Sequence, residues 1–353
     1  MFSGQDKIGI AIVGGTGYGA AELLRLCALH PALEVVSVVS ASSPGVEIAS
    51  VHPHLKSLYT QEFSAEVDFT SLANYSRCAV LLALPHKTAA SYTRKIKANL
   101  DKVNAVLFDL SGDFRLRDSE IREKYYPGVS DLEQSSVAYG LPELNRDKIA
   151  TANAISTPGC LATVVTLAAL PLFKSTIRII GSIVADAKTG SSGAGRSLRQ
   201  EFHHPSRHDD ANPYNALVHR HEPEILQNWY FDADQSKPFM FVPHLIPCSR
   251  GCMASVYLEI DTKIPSTEVH ELFVDFYDDK PAVRVGSQMP HLSHVVGTNY
   301  CDVSVVVRDS QVVCFAALDN LVKGAGGQMI QNLNIRFGFD ELLGLSSPAL
   351  GPC

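Results

Sequence analysis

One cysteine occupies a corner of the chain where a thiol could act as a nucleophile. Residues 156–163 read STPGCLAT, in which a Pro-Gly pair separates a strand pattern from an apolar helical pattern. A helix that begins at Cys160 places the thiol at a helix N-terminus, where the peptide dipoles favour the thiolate form. Cys160 is therefore a candidate nucleophile. The alternative is a buried, unreactive thiol of the kind common in protein cores.

Two histidines lie in one short segment further along the chain. Residues 219–225 read HRHEPEI, so an arginine stands between His219 and His221. Histidine titrates nearest neutral pH, and either imidazole could exchange a proton with a thiol. The other histidine and Arg220 could then hold an anionic group of a substrate. The alternative is that both histidines are structural.

Cationic and small residues in two further segments suggest that an anion binds. Residues 188–196 read KTGSSGAGR, and glycines and serines between two cations predict a loop whose backbone amides bind an anion. Its candidate residues are Lys188, Ser191, Ser192 and Gly193. Arg115 follows the fourth predicted strand in DLSGDFRLRD, at an end of a sheet where ligands bind. Arg117 is an equal alternative on position alone.

A glycine-rich turn near the N-terminus indicates a dinucleotide. Residues 14–20 read GGTGYGA between a predicted strand and a predicted helix, and Gly15, Gly17 and Ala20 fit the pattern G-x-G-x-x-A. This pattern gives a tight turn, room for a pyrophosphate at a helix N-terminus and close helix packing. The alternative is a plain strand-to-helix turn. The predicted cofactor-binding residues of the turn are Gly14, Gly15, Thr16, Gly17, Tyr18 and Gly19.

The end of the second predicted strand bears on which dinucleotide binds. Residues 37–45 read SVVSASSPG, with no Asp or Glu to accept the ribose 2′-hydroxyl of NAD. The hydroxyls of Ser40, Ser42 and Ser43 could instead donate to a 2′-phosphate, so the sequence predicts NADP. Serines that only cap the turn are the alternative.

Two kinds of element position these groups. Over the first 156 residues, nearly continuous apolar runs alternate with helical segments, as in a buried parallel sheet. These runs are 7–14, 33–40, 77–85, 104–111 and 148–156. Beyond Cys160 the pattern predicts a helix to about Phe173, a helix over 323–335, and strands near 177–187, 239–246, 250–261 and 281–285. It also predicts a strand pair over 301–319 that turns at Asp309-Ser310. The sequence therefore predicts an α/β protein, with a Rossmann-type parallel-sheet domain followed by an α+β domain.

Composition excludes several classes of function. The chain has 353 residues, with 37 acidic residues against 30 basic ones and no run of Lys or Arg, so a nucleic-acid partner is not predicted. The sequence contains no apolar stretch of about 18 residues, so a membrane span is not predicted. The eight cysteines form no C-x-x-C pair, so we expect reduced thiols, no metal site and a cytoplasmic location.

Eight segments follow one another along nearly the whole chain: GGTGYGA, DLSGDFRL, YGLPEL, TPGC, KTGSSGAGR, YNALVHRHEPEI, FVPHLIPCSRG and DNLVKGAGGQMIQNLN. Together they resemble the N-acetyl-γ-glutamyl-phosphate reductase family. The resemblance implies a catalytic domain similar to that of glyceraldehyde-3-phosphate dehydrogenase. It also implies a reaction of arginine biosynthesis, in which NADPH reduces N-acetyl-L-glutamyl 5-phosphate to the 5-semialdehyde and phosphate through a cysteine thioester.

The resemblance also implies roles for individual residues and for the domains. Cys160 is the nucleophile and His219 the acid/base, while His221, Arg115 and the loop 188–196 lie near the substrate. Asn320 is the second residue of the last matching segment and is expected near the cofactor. The predicted domains are 1–158 with 320–353 for the dinucleotide, and 159–319 for catalysis and oligomerisation. A homodimer or homotetramer that acts on a small molecule is expected.

Two other functions stay open at this point. A lysine-pathway relative that reduces a carrier-bound aminoadipyl phosphate would share all of this chemistry. A catalytically dead NADPH-binding regulator is the alternative from another class, although Cys160 and His219 are both present. Aspartate-semialdehyde dehydrogenase shares the mechanism but lacks the HRH-x-P-E-I segment.

Overall fold

A computed structural model describes residues 7–230, 237–261 and 263–349, and it divides into two compact units. The first unit runs to Pro158 and takes in Ala325–Ser346. The second comprises Gly159–Gly324 and the described residues from Ser347. The predicted domains, 1–158 with 320–353 for the dinucleotide and 159–319 for catalysis and oligomerisation, stay a prediction.

A six-stranded parallel sheet forms the centre of the first unit. Its strands are β1 (Ile8–Val13), β2 (Leu33–Val39), β3 (Cys78–Leu82), β4 (Val106–Asp109), β5 (Ala138–Tyr139) and β6 (Ala154–Ser156). The order across the sheet is β2-β1-β3-β4-β6-β5. Both β1 and β3 are buried along their whole length, because helices that cover both faces of a parallel sheet leave no wet side. The predicted Rossmann-type sheet is confirmed.

Short and long helices connect these strands. They are α1 (Tyr18–Leu29), α2 (Ile48–Val51), α3 (Phe69–Leu72), α4 (Ala89–Val103), α5 (Ser119–Tyr125), α6 (Asp131–Ser135) and α7 (Pro142–Thr151). The helix α7 corrects one prediction, since residues 148–151 are its last turn and not the beginning of a strand. Pro142 starts α7 because a fixed φ and a missing N–H suit the first helical turn.

The second unit contains a seven-stranded mixed sheet. Its strands are β7 (Ile179–Thr189), β8 (Asn212–Pro213), β9 (Phe239–Leu245), β10 (Cys252–Ile260), β11 (Val283–Val285), β12 (Cys301–Arg308) and β13 (Gln311–Leu318), in the order β11-β12-β13-β10-β7-β9-β8. Only the pairs β7–β9 and β11–β12 are parallel. The predicted α+β character of this part is confirmed, including the hairpin turn at Asp309, where φ is 55°.

One buried helix lies at the centre of the second unit. Its helices are α8 (Cys160–Lys174), α9 (His204–Arg207), α10 (Glu222–Trp229) and α11 (Ser266–Tyr277). The apolar helix α8 packs on β7, β10 and β13 and is buried from Leu161 to Leu172. On its far side, Trp229 of α10 stacks on Phe173 with ring centres 4.3 Å apart. The first residue of α8, Cys160, is thereby held by a rigid core.

The last helix, α12 (Gly327–Phe337), belongs to the first unit, where it packs on α1, α7 and β4. It follows a π-helical turn at Val322–Gly326. Polar side chains of α12 are bonded in this unit: Asn332 donates to the carbonyl of Gly140 at 2.9 Å, and Asn334 lies 2.9 Å from the imidazole of His30. Such paired amides can be buried at little cost. Within the described ranges, no helix has the length and apolar character that a membrane span requires.

Candidate active site

The Cys160 thiol stands on the first residue of α8, as predicted. Gly159 precedes it with extended angles of φ −71° and ψ 145°. The carbonyl of Gly159 closes the first turn by accepting hydrogen bonds from the N–H and the hydroxyl of Thr163, at 2.8 and 3.0 Å. The first turn carries no acidic residue. The dipole of α8 therefore favours a thiolate at Cys160 without an opposing charge from that turn.

Three residues distant in sequence lie close to Cys160. A Cβ on Gly324 would stand 2.7 Å from the Cβ of Cys160, so a side chain does not fit there. The Cys252 thiol lies within hydrogen-bonding reach of the Cys160 thiol, and burial raises the pKa of Cys252 well above its ordinary value. Burial and then the charge of Cys160 raise the pKa of the Tyr214 phenol. Cys160 thus has a protonated thiol and a protonated phenol as neighbours.

His219 is a buried imidazole surrounded by other rings. Its ring meets Tyr214 and Phe241 edge-on, with centres 5.5 and 5.4 Å away, and the ring of His221 at 4.7 Å. Burial and then the positive charge of Arg220 lower the pKa of His219 to about 4. A buried imidazole in this surrounding is neutral at pH 7, because charging it would cost desolvation and repulsion.

A backbone hydrogen bond determines which nitrogen of His219 carries the proton. The N–H of His221 donates to Nδ1 of His219 at 3.1 Å. A neutral imidazole that accepts at Nδ1 carries its hydrogen on Nε2. In its resting form His219 is therefore a hydrogen-bond donor through Nε2, rather than a base at that atom.

The other two residues of the HRH segment, Arg220 and His221, differ in their exposure to solvent. His221 is buried, whereas Arg220 is exposed. In the loop just before, Asn215 and Leu217 adopt left-handed φ angles of 45° and 60°. Asn adopts this conformation readily, but it is strained for a bulky residue such as Leu217, and such strain is often found at functional sites.

The glycine-serine loop does not have the predicted arrangement of free amides. The N–H groups of Gly190, Ser191 and Ser192 donate to carbonyl oxygens of residues 248–251, at 2.9 to 3.0 Å. The N–H of Gly193 donates to the carbonyl of Gly190 at 3.2 Å. The interpretation of this loop as a nest of amides for an anion is corrected, because the protein's own carbonyls occupy these donors. Side-chain hydroxyls remain as its polar groups.

Asn320 joins the same two loops within the second unit. Its Nδ2 donates to the hydroxyl oxygen of Ser192 at 2.9 Å, and its Oδ1 accepts from the N–H of Gly251 at 2.7 Å. Asn320 therefore fixes the position of Ser192, whose own proton can still be donated. The expected contact of Asn320 with a cofactor stays a prediction.

Lys188 lies beside a carboxylate and an imidazole on the mixed sheet. It alternates along β7 with the buried Ala187 and Thr189, and it forms an ion pair of 2.5 Å with Asp186. Asp186 also lies 3.0 Å from the imidazole of His244 on β9. Because Thr189 contacts the Cys252 thiol at 3.1 Å, Lys188 lies on the opposite face of β7 from that contact.

Arg115 is buried in the first unit. Its Nε donates to the carbonyl of Thr157 at 2.8 Å, and its Nη2 to the carbonyl of Leu110 at 2.7 Å. The guanidinium thus joins the backbone after β4 to the backbone after β6. Arg117 is exposed. Binding of a substrate by Arg115 stays a prediction.

The GGTGYGA turn has the shape that a pyrophosphate requires. At Gly14, φ is 90° and a Cβ would lie 2.5 Å from the carbonyl oxygen of Ala83; at Gly15, it would lie 2.6 Å from Val38. Gly17 precedes α1, whose first turn carries no acidic residue and no side-chain cap. The open N-terminus of α1 is therefore available to a phosphate group.

Polar residues around this turn extend the candidate cofactor site. The imidazole Nε2 of the buried His52 lies 2.7 Å from the carbonyl oxygen of Gly15 and holds that peptide inward. At the end of β2, the hydroxyl oxygens of Ser40, Ser42 and Ser43 follow one another at 3.3 Å. None of residues 40–43 has a carboxylate side chain. The turn and the residues around it fit a nicotinamide dinucleotide.

Several residues of the site were not predicted from the sequence. Gly324 and Glu224 lie within quoted segments and Cys252 directly follows one, but nothing in their spacing indicates that they meet the Cys160 corner. Glu224 accepts a hydrogen bond from the N–H of Gly159 at 2.9 Å, across 65 positions of sequence. The one available signal was that Glu224 shares a segment with both histidines.

The protein combines a nucleotide-binding unit with a unit that carries a thiol at a helix N-terminus. This combination defines a class of protein, and two family models match the chain. The model "Semialdehyde dehydrogenase, NAD binding domain" covers residues 9–152, and "Semialdehyde dehydrogenase, dimerisation domain" covers residues 160–320. The fold is that of aspartate semialdehyde dehydrogenase II from Vibrio cholerae, with a TM-score of 0.64 at 16% identity, over 93% of this chain and 98% of that one. The protein is a nicotinamide-dependent oxidoreductase of this class.

Curated relatives narrow the class to one family. N-acetyl-gamma-glutamyl-phosphate reductase of Desulforudis audaxviator is 39% identical over 98% of this chain and 100% of its own length. The enzyme of the same name from Methanopyrus kandleri is 40% identical over 97% and 99%. The chain belongs to the N-acetyl-gamma-glutamyl-phosphate reductase family, and the resemblance found in its sequence is confirmed.

Proposed function

We propose that this protein reduces N-acetyl-L-glutamyl 5-phosphate with NADPH, which gives N-acetyl-L-glutamate 5-semialdehyde and phosphate, as one step of arginine biosynthesis. The observation that carries the proposal is the position of Cys160 on the first residue of α8, in a chain that belongs to this family. A nucleophile at a helix N-terminus suits an acyl phosphate, because the thiolate and the negative charge that develops during attack are both stabilised there.

The proposed reaction has two halves. The Cys160 thiol loses its proton to the medium and the thiolate attacks the acyl carbon; the bond from carbon to phosphate oxygen then breaks, and the departing phosphate takes up one proton. A nicotinamide held by the first unit would supply hydride to the resulting thioester. The thiohemiacetal then collapses, the carbon–sulfur bond breaks and the sulfur takes up one proton from the medium. The products are the aldehyde and the free thiol.

His219 serves both halves as a hydrogen-bond donor. Its resting form carries the hydrogen on Nε2, because Nδ1 accepts from the His221 amide. We therefore propose that the Nε2–H of His219 donates a hydrogen bond to the negative charge that develops on the leaving phosphate or on the departing sulfur, while the protons themselves are exchanged with the medium. The aromatic rings around His219 limit the access of water to this hydrogen bond.

Polar groups for the substrate come from several segments. We propose that the hydroxyl of Ser192, oriented by Asn320, and the cationic or imidazole groups of Arg220 and His221 hold its anionic parts. Arg115 contributes a positive charge where β4 ends. Ser191, whose hydroxyl donates to the carbonyl of Cys248 at 3.3 Å, completes the proposed substrate set. Gly193 is left out because its N–H donates to the carbonyl of Gly190, and Lys188 is left out because it lies on the opposite face of β7 from the contact of Thr189 with Cys252.

A comparison of two aldehydes in the reverse reaction tests the function. With phosphate present, N-acetylglutamate semialdehyde should reduce NADP, and aspartate semialdehyde should do so at least about 10²-fold less efficiently, since a site built for one polar substrate discriminates strongly. Omitting phosphate should abolish the signal. Absence of turnover with either aldehyde would favour the dead regulator, and preference for a carrier-bound aminoadipate semialdehyde would favour the lysine-pathway alternative.

The cofactor preference follows from the serines after β2. We expect NADP to bind about tenfold or more tightly than NAD, the roughly 1.4 kcal/mol that one or two hydrogen bonds to a 2′-phosphate supply. Titrations of both cofactors, monitored by fluorescence, measure the two dissociation constants. The double variant S42A/S43A should bring the dissociation constant of NADP closer to that of NAD. Equal affinities in the native protein would contradict the assignment.

We also propose that two copies of the chain associate through the mixed sheet. One outer row of this sheet carries Val306, Tyr257 and Met240, which are each more than 40% exposed, with Val313 and Val184 between them in register. An apolar row of this kind on a sheet face favours a protein partner. Light scattering should give the mass of two or four chains, and a monomer at micromolar concentration would contradict the proposal.

A further inference from the structure

A buried carboxylate connects the two catalytic segments of the second unit. Glu224 is 1% exposed, and its Oε1 accepts a hydrogen bond from the N–H of Gly159 at 2.9 Å. Gly159 immediately precedes Cys160, while Glu224 lies in the first turn of α10, five residues after His219. The Glu224 side chain thus connects the backbone next to Cys160 with the segment that carries His219.

The Glu224 bond restrains a part of the corner that the helix itself does not hold. The carbonyl of Gly159 is fixed by Thr163 within α8, but its N–H points away from the helical ladder, and a glycine has no side chain with which to cap the helix. With Glu224 in place, the residue before Cys160 is bonded at both its N–H and its C=O. The direction of the thiol is then set by a restrained backbone.

The other end of the connection is equally rigid. The N–H of Glu222 donates to the carbonyl of His219, and the N–H of Ile225 donates to that of His221, each at 2.9 Å. The segment from His219 to Glu224 therefore moves as one piece. A shift of Glu224 would change the position of His219 relative to the Cys160 corner.

Folding of α10 does not depend on Glu224 alone. Asn228 and Trp229 both bond to Thr166, at 3.3 Å, and Trp229 stacks on Phe173. These contacts anchor α10 to the middle and far end of α8. Glu224 makes the contact at the end of α8 that carries Cys160. Removal of this contact should therefore loosen the site while α8 and α10 stay packed on each other.

We infer that Glu224 is a positioning residue, which holds Cys160 and His219 in reactive geometry by accepting the Gly159 hydrogen bond. The inference rests on the proposed function, because it assigns these two residues to catalysis. Precise placement of reacting groups contributes strongly to rate, and small displacements are costly.

Two near-isosteric variants separate the hydrogen bond from the charge. Glu224→Gln keeps an oxygen at the same reach and removes the charge, whereas Glu224→Asp keeps the charge but is one methylene too short. We expect Glu224→Asp to lower kcat by about 10- to 100-fold, the effect of losing a hydrogen bond to a charged group. Glu224→Gln should stay within about fivefold of the native protein. KM for NADPH should be unchanged in both, and Glu222→Gln in the same turn is the matched control.

The rate of thioester formation from acyl phosphate without NADPH should follow the same order as kcat. If Glu224→Asp matches the native rate, or if Glu224→Gln loses as much as Glu224→Asp, the positioning role is wrong. Equal thermal midpoints for the two variants show that both are folded. If the native protein itself forms no thioester, the proposed function is overturned and this inference with it.

Discussion

Replacing Cys160 with serine should lower the rate of acyl phosphate reduction by at least about 10³-fold, while the fold and NADPH binding persist. The exchange is nearly isosteric, but a hydroxyl at a helix N-terminus is not ionised near neutral pH, as a thiolate can be. The corner itself should survive, because the bonds that hold it involve the backbone of Gly159 and not the thiol. Steady-state rates and a fluorescence titration with NADPH provide the two readouts.

A second cysteine offers a matched control for this prediction. Cys248 is half-buried like Cys160, and burial raises the pKa of its thiol. Cys248→Ser should leave turnover within about twofold. Near-native turnover of the Cys160→Ser protein would contradict the assigned role and leave Cys160 as a structural thiol.

Replacing His219 with alanine should slow turnover by about 10²- to 10⁴-fold, because a buried donor aimed at developing negative charge contributes strongly to rate. Some activity should remain, because α8 still favours the thiolate when the imidazole is gone. The variant His208→Ala, at an exposed histidine beside Asp209, is the control and should keep native activity. A loss below about threefold at His219 would remove it from the mechanism.

The protonation state of His219 can be measured separately from its effect on rate. In nitrogen-15 NMR spectra at pH 7, its imidazole should be the neutral form with hydrogen on Nε2, because the His221 amide donates to Nδ1. It should gain a proton only as the pH falls towards about 4. Since this folded-state pKa lies below the ordinary 6.5, folding stability from this group is lost as the pH falls from 6.5 through 4. A midpoint near 6.5 would contradict the buried, donor form.

Local patterns in the sequence account for much of the fold. The turn at Gly14–Gly17 and the helix that begins at Cys160 could be predicted because each depends on residues within one or two turns of chain. The error at 148–156 has the same local origin. An apolar run of IATANAI suits a strand, but Pro142 starts a helix upstream whose last turn extends to Thr151.

Contacts between distant segments could not be predicted in this way. The sequence indicated amides available to an anion at 190–193, whereas carbonyls of residues 248–251 occupy most of them. Nothing in the spacing of Gly324 or Glu224 indicates contact with the Cys160 corner, because each pairing depends on how β13 and α10 pack on α8. The residue types therefore indicated the chemistry of the site, whereas the geometry of the site could be learned only from the folded structure.

The central claim is that Cys160 carries the acyl group, and one trapping experiment tests it most directly. The native protein is incubated with N-acetyl-L-glutamyl 5-phosphate in the absence of NADPH, quenched in acid and digested, and the peptides are weighed by mass spectrometry. An N-acetylglutamyl adduct on the peptide that contains Cys160, which NADPH discharges as aldehyde, is the expected result. An adduct on another cysteine, or no adduct in a protein that still turns over, would contradict the account.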